Sequence, residues 1–349
     1  SQFQPGGKNS KKEKTMNFIS KQRLGNKVII SFFGIKFRYK DKTDTFLNDI
    51  FREWENSNNP KKLVQYLEKI LEVGVENKNR EIYLIYISML IENKQQRKAK
   101  QHLNKYVTKY GTRDLYAFPV ICNMAAKCSY SDAKIIDIAH VFEVLERNKK
   151  DGYLASLLDN KSIAIVGNSP NLLGKQKGVC IDSHDIVVRF NNYKIKGFET
   201  DYGSKTNIWV CCQADDVVNL SENEVKQLDY VLYNIDLWHA KLSDKCFQNI
   251  SENIERKVMV GYIESKYIQN LKQCGFLCPS TGLATIYYFH KLVSLKRNNI
   301  FGFSFLENNS NFYEHYFTRR SKSKIKKFIK NGHHNFAKES IFLNKLLEE

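Results

Sequence analysis

Short, largely apolar runs bounded by turn residues recur along the second half of the chain, at Ile163–Val166, Ile186–Phe190, Ile208–Cys212, Tyr230–Asn234, Val258–Val260 and Ile300–Phe303. This recurrence constrains the fold more than any other feature. Runs that do not alternate with polar residues read as strands buried on both faces of a parallel sheet. Stretches of helical period separate them, and strands interleaved with helices give an open α/β sheet of Rossmann type. The polar stretch Asn148–Gly152 precedes the first run and marks a boundary, so residues 151–349 are expected to form one α/β domain.

Upstream, residues 43–147 carry the helical period. One stripe is Phe46, Leu47, Ile50, Phe51 and Trp54; a second, after the Asn59-Pro60 start signal, is Leu63, Leu67, Ile70 and Leu71. A third runs through Ile82, Ile85, Tyr86, Met89 and Leu90, and a fourth through Leu103, Tyr106, Val107 and Tyr110, stopping at Gly111. Further helices are expected at Phe118–Ala126 and Ala133–Glu146. Apolar residues at these spacings line one helix face, and several short helices of this kind pack as an α-helical domain, here residues 26–150. Its start, Lys27–Arg38, places Gly34 between two apolar runs and reads as a small hairpin. Its Phe, Ile and flanking cations also suit peripheral contact with an anionic inner membrane. Residues 1–25 are polar, lysine-rich and aperiodic, a composition expected of a mobile segment.

The 349 residues carry 55 Lys and Arg against 37 Asp and Glu, a formal charge of +18. That field attracts polyanions and leaves nucleic acid, anionic lipid and acidic polysaccharide open. Neither a recognition helix nor a basic groove with interleaved aromatics is evident, so no nucleic-acid partner is expected. No apolar run is long enough to span a membrane, and no signal peptide is evident; Ser1–Gly7 reads as foreign to a native start. The eight cysteines form no C-x2-C pair, so no metal site is expected.

The first strand leads into Gly167-Asn168-Ser169-Pro170-Asn171, and Ile186–Phe190 leads into Asn191-Asn192. Neither G-x-G-x-x-G nor a P-loop is present. Amide side chains and backbone N–H groups at adjacent strand ends still form an address for a nucleotide. The stretch from Ile163 to Asn192 resembles the long motif of the eukaryotic-type sialyltransferase family, and Asp201, Gly203, Lys205 and Thr206 continue it. Cys278–Gly282 with Ile300–Phe303 resembles the short motif, His315-Tyr316 the third, and His334 to Glu339 the very short motif H-x4-E.

The resemblance covers the second half of the chain only. It implies a GT-A-variant, Rossmann-like glycosyltransferase domain behind the N-terminal α-helical one. It further implies an inverting, metal-independent transfer of an acidic sugar from a CMP donor, which is a substrate, with no cofactor. His334 would be the catalytic base, since imidazole with a pKa near ~6.5 can accept a hydroxyl proton at neutral pH. His315 would contact the CMP phosphate. Asn168, Ser169 and Asn191 would bind the nucleotide, and Ser280, Thr281 and Gly282 an anion at a helix start. Taken alone, Asn168 is equally a turn-former, Ser280 an N-cap, and each histidine a surface or capping residue. Asp182, Asp185 and Arg189 read as an internal ion pair, and Glu339 as an orienting or helix-start residue. The basic segment 308–332 reads as a lid over the donor or a solvated face.

In the family that the chain resembles, members in the secretory pathway carry a disulfide between the start of the long motif and the late part of the short motif. Ile163 stands where the first cysteine would be, and no cysteine lies between Leu283 and Gly302. This departure from the family pattern suggests a reducing compartment and, with the Lys-, Asn- and Ile-rich composition, a bacterial, cytoplasmic enzyme whose surface-glycan acceptor can itself be anionic. CMP-Kdo is the alternative donor, in capsule or lipopolysaccharide synthesis. A nucleic-acid-binding protein and a non-catalytic scaffold are the remaining alternatives.

Overall fold

The computed structural model describes residues 19–24, 27–32, 35–40, 60–72, 80–128, 130, 132–214, 217–238, 240–276, 279–304, 315–318 and 335–348. The stripe Phe46–Trp54, most of the basic segment 308–332 and His334 lie outside the described residues.

Three antiparallel strands open the chain: β1 (Ile19–Leu24), β2 (Lys27–Phe32) and β3 (Ile35–Lys40), paired in the registers Ile19↔Phe32 and Phe32↔Ile35. β1 lies within the stretch expected to be mobile; its Ile19, Arg23 and Leu24 find a ladder on the β-branched β2. Helices α1 (Pro60–Glu72), α2 (Glu81–Glu92), α3 (Gln96–Tyr110) and α4 (Pro119–Ala126) follow, with a 3-10 turn at Arg113–Ala117. Sequence periodicity anticipates one apolar stripe on α2, yet Leu84, Ile87 and Ser88 are buried as well. A helix apolar on all sides belongs inside a core, and α2 contacts α1, α3 and α4.

Helix α5 (Ala133–Lys150) begins at Asp132, whose side chain accepts from the Ile135 N–H at 2.8 Å. It runs four residues past its expected end at Glu146 and lies on the parallel sheet. Asn148 Nδ2 donates to Val260 O at 2.8 Å, and Glu146 accepts from the Tyr262 hydroxyl and from Trp238 Nε1. One continuous core joins Leu67, Tyr86, Leu103 and Leu145 to Trp209, Val231 and Tyr262. The expected boundary near residue 150 is therefore not a gap between cores: the helices bury their apolar faces against the sheet because neither surface is covered otherwise.

Beyond α5 come α6 (Tyr153–Leu158), β4 (Ile163–Val166), α7 (Gly178–Asp182), β5 (Ile186–Phe190), α8 (Glu199–Tyr202), β6 (Ile208–Cys212), α9 (Glu222–Val225), β7 (Tyr230–Asn234), α10 (Asp244–Glu255) and β8 (Val260–Tyr262). Helices α11 (Ser265–Gln273) and α12 (Thr281–Val293), β9 (Ile300–Phe301) and α13 (Phe336–Glu348) complete the described chain. The last two strands differ from the sequence reading: β8 starts at Val260, and β9 stops at Phe301 because Gly302 turns the chain at φ +68°.

The six strands β4–β9 are all parallel, in the order β8-β7-β6-β5-β4-β9. Both faces are covered. Trp209 and Cys211 of β6 face the shared core with the helical half, whereas Ile208 and Val210 face a second core with Leu283, Phe289 and Leu343. The period of two along one strand thus serves both layers. On α13, Leu346 is buried and Phe342 packs on the second core, while Ile341 is exposed.

Strand order runs in one direction from β4 to β8, and β9 then adds on the other side of β4. This reversal is a topological switch point, where a crevice opens beyond the strand ends. There the backbones of Gly167 and Gly302 cross so closely that a Cβ on Gly167 would lie 2.5 Å from Gly302 O. That carbonyl is backbone and cannot swing away. Gly167→Ala is expected to cost about 1–3 kcal/mol by overpacking, read as a lower midpoint in urea denaturation; an unchanged midpoint would contradict the close crossing.

Candidate functional site

The crevice at the switch point is built from the turns after β4, β5 and β9. Asn168 Nδ2 donates to Phe190 O at 3.0 Å and to Asn192 O at 3.4 Å, so its amide clamps the end of β4 to the end of β5. Asn191 takes a left-handed φ of 47°, its Oδ1 accepts from Cys212 N at 3.0 Å, and its carbonyl accepts from Trp209 Nε1 at 2.9 Å. The two asparagines therefore stand at neighbouring strand ends, as expected. Each spends half of its amide on the frame. Asn168 Oδ1 and Asn191 Nδ2 carry no protein hydrogen bond among the described residues, leaving one acceptor and one donor for a ligand.

Ser169 is held from both sides: its N–H donates to Gly302 O at 2.9 Å and its carbonyl accepts from the Tyr202 hydroxyl at 2.6 Å. His315 enters through its neighbour. Tyr316 N–H donates to Asn168 O at 3.0 Å, the Tyr316 ring stacks on Tyr202 with centroids 3.9 Å apart, and its hydroxyl donates to Lys194 O at 2.5 Å. A chain segment nearly 150 residues downstream is thereby tied to the asparagine turn, and the His315 ring packs 5.2 Å from Phe317. Tyr316, read in the sequence only as part of the third motif, is the anchor of that segment.

At the start of α12, Ser280 is the N-cap. Its Oγ accepts from Leu283 N at 3.1 Å and donates to Glu339 Oε2 at 2.5 Å, and its N–H donates to Glu339 Oε1 at 2.9 Å. Ser280 is thus committed to structure, and its side chain is buried. Gly282 has a packing role too, since a Cβ there would meet the Phe303 ring at 2.6 Å. Thr281 Oγ1 accepts from Asn234 Nδ2 at 3.2 Å, which ties the helix start to the end of β7. Among the residues expected to bind an anion at this helix, Thr281 and Gly282 remain partly exposed.

Glu339 is fully buried in the first turn of α13, behind the Asn335 side chain, which accepts from Lys338 N at 3.1 Å. Burial pushes its carboxyl up to about 7, against the Ser280 hydrogen bonds that favour the anion. Sequence spacing placed Glu339 near a helix start; its bond to Ser280 across 59 positions had no sequence signal.

The long-motif charges form a frame. Arg189, buried, donates from Nε to Lys205 O at 3.0 Å and to Thr206 Oγ1 at 3.1 Å, and from Nη2 to Tyr202 O at 2.8 Å. Asp182 accepts from Ser204 N and Lys205 N, and Asp185 from Ser162 N and Oγ. The expected internal ion pair is replaced by hydrogen bonds to backbone, because two carboxylates at chain turns find N–H donors nearer than the guanidinium. Asp201 closes the loop after β4, accepting from Gly174 N at 2.7 Å and Gln176 N at 2.9 Å. Among the described residues, no three His, Cys, Asp or Glu side chains gather as a metal-ligand set, no helix is long and apolar enough to cross a membrane, and the cysteines are free thiols.

A parallel sheet covered on both faces, with amide-bearing turns at its switch point, defines an open α/β protein. The sequence profile of glycosyltransferase family 29 (sialyltransferase) matches residues 137–349, more than half of the chain, and the protein belongs to that family. The chain is 57% identical over 47 residues to a β-1,6-galactosyltransferase of Arabidopsis thaliana, across 14% of this chain and 12% of the relative. It is 42% identical over 69 residues to the CMP-N-acetylneuraminate-β-galactosamide-α-2,3-sialyltransferase 1 of Sus scrofa, across 20% of each chain. These matches span at most a fifth of those relatives. A mammalian sialyltransferase crystal structure aligns with a TM-score of 0.38 at 19% identity, covering 58% of this chain and 76% of that one.

The buried Glu339 carboxyl carries a pH signature. The unfolded chain releases this proton near 4.5 and the folded chain near 7, so stability is fully present below about 4.5 and declines as pH rises to about 7. The loss relative to Glu339→Gln is expected to reach about 3 kcal/mol, measured by urea denaturation on both sides of that window. A difference between the two proteins that stays constant with pH would contradict the raised carboxyl.

Proposed function

We propose that this family 29 glycosyltransferase is an inverting enzyme, working on a GT-A-variant scaffold without a metal, that moves sialic acid from a CMP donor onto a glycan hydroxyl. The observation that supports the reading is the junction of the asparagine turn and the third motif: Asn168 and Asn191 stand at neighbouring strand ends, and the Tyr316 N–H bond to Asn168 O ties the segment carrying His315 to that turn. In this reading Asn168 Oδ1 and Asn191 Nδ2 meet the nucleotide, and the Thr281 and Gly282 N–H groups at the start of α12 meet an anionic group of the donor. Ser169 and Ser280 support those contacts by holding the two loops.

The reaction needs two proton-handling groups on opposite sides of the anomeric carbon. His334, assigned by its place in the H-x4-E motif, takes the proton of the acceptor hydroxyl as its oxygen bonds to the anomeric carbon. The bond from that carbon to the phosphate oxygen breaks, CMP leaves with the electron pair, and His315 donates a hydrogen bond to the phosphate as its charge grows. Asn335 caps α13, and the Glu339 bond to Ser280 ties the start of α13 to the start of α12.

The galactosyltransferase name of one relative makes the donor the first question. Purified protein is expected to release CMP from CMP-sialic acid in the presence of a glycan acceptor, followed by product mass; CMP-Kdo and UDP-galactose are the comparison donors. His334→Ala is expected to abolish transfer while CMP affinity stays within a few-fold. Transfer retained by that variant would remove the assigned base, and release from UDP-galactose alone would replace the donor.

A further inference from the structure

Away from the switch point, a cleft of about 690 Å³ opens where the helical half meets the sheet's carboxyl edge, between the start of α2, the Arg113–Ala117 turn, the start of α5 and the chain before α10. Its size is within the ~300–1,000 Å³ usual for ligand sites. The connection leaving β7 reaches both places: Asn234 at its beginning bonds Thr281, and Leu242 near its end donates to Ala117 O at 2.9 Å. Since all strands of the sheet are parallel, the cleft is on the same end as the asparagine turns. The wall formed by α2 and the Arg113 turn lies upstream of residue 137, outside the match to the family.

The charges around the cleft are arranged in exposed pairs: Arg80 with Asp114 at 3.1 Å, Lys241 with Glu81 at 3.2 Å and Lys134 with Asp244 at 3.0 Å. Arg113, also exposed, has no partner among the described residues. Four cations against three carboxylates leave one positive charge. Exposed pairs are individually weak, so they can exchange partners with a ligand at little cost. Their carboxylates accept from hydroxyls and their cations donate to them. Tyr116 adds aromatic wall, and the buried Tyr106 donates its hydroxyl to Asp114 at 2.8 Å.

This composition discriminates between polyanions. A nucleic acid or polyphosphate would bring a dense row of charge against three carboxylates and find only one uncompensated cation. A saccharide bearing a carboxylate amid many hydroxyls matches both the paired donors and acceptors and the spare guanidinium. We propose that the cleft binds an acidic oligosaccharide segment of the glycan acceptor, with Arg113 holding a sugar carboxylate. The ligand's identity as acceptor rests on the glycosyltransferase reading; the place and its chemistry rest on the cleft.

The test is calorimetric titration of the full chain with an oligogalacturonate, with a neutral malto-oligosaccharide as control and CMP titrated separately. Arg113→Ala is expected to weaken oligogalacturonate binding roughly tenfold, the loss of one charge-assisted hydrogen bond, and Arg113→Glu further, with CMP affinity unchanged in both. Absence of oligogalacturonate binding, equal binding of the neutral sugar, or Arg113 variants that bind as wild type would each overturn the inference. CMP binding with no oligosaccharide binding sinks the cleft and spares the donor reading. Arg113-dependent oligosaccharide binding in a protein that binds no CMP does the reverse.

Discussion

The arrangement depends on two peptide backbones passing within contact at the ends of β4 and β9. Only glycine permits the crossing of Gly167 and Gly302, and the crossing seats β9 on the far side of β4. Strand order reverses there, so the turn carrying Asn168 and Ser169 faces a crevice instead of a neighbouring crossover. Ser169 N–H then bonds Gly302 O, and the first turn of the site is held by the strand that creates the opening.

Around that crossing, most residues of the sialyl motifs build a frame and few are left to touch a ligand. Arg189 binds three oxygens of the segment Tyr202–Thr206, Asp182 collects the N–H groups of Ser204 and Lys205, and Asp201 closes the loop at Gly174 and Gln176. A buried guanidinium without hydrogen bonds would be costly, and here backbone carbonyls and a hydroxyl satisfy it. Tyr202 and Tyr316 stack on this frame and fix the segment that carries His315. Rigid support of this kind suits a reaction in which a displaced atom of about an ångström costs rate.

The helical half is part of the same physical object. α5 lies along the sheet through Asn148, Glu146 and Lys149, and its core is continuous with that of α2 and α3. Because the family match starts inside α5, the surfaces upstream of it are where this chain can differ from its relatives while keeping the shared sheet. The paired charges around Arg113 occupy that position.

Much was legible from residue order alone. The strands β4 to β7 fall at the positions their apolar runs indicate, and the four motifs name the family, because burial on both faces and turn chemistry are written locally along the chain. What order could not decide was the commitment of individual polar atoms. Ser280 looked like an anion ligand, but its hydroxyl and N–H are taken by Glu339, 59 residues away. Gly282 looked like part of the same loop, but it makes room for Phe303. Helices that read as a separate domain share one core with the sheet, since amphipathic period says that a face is buried and not against what. Hydrogen-bond partners and facing surfaces come together only on folding, and the free amide atoms of Asn168 and Asn191 and the cleft beside Arg113 were therefore decided by tertiary structure.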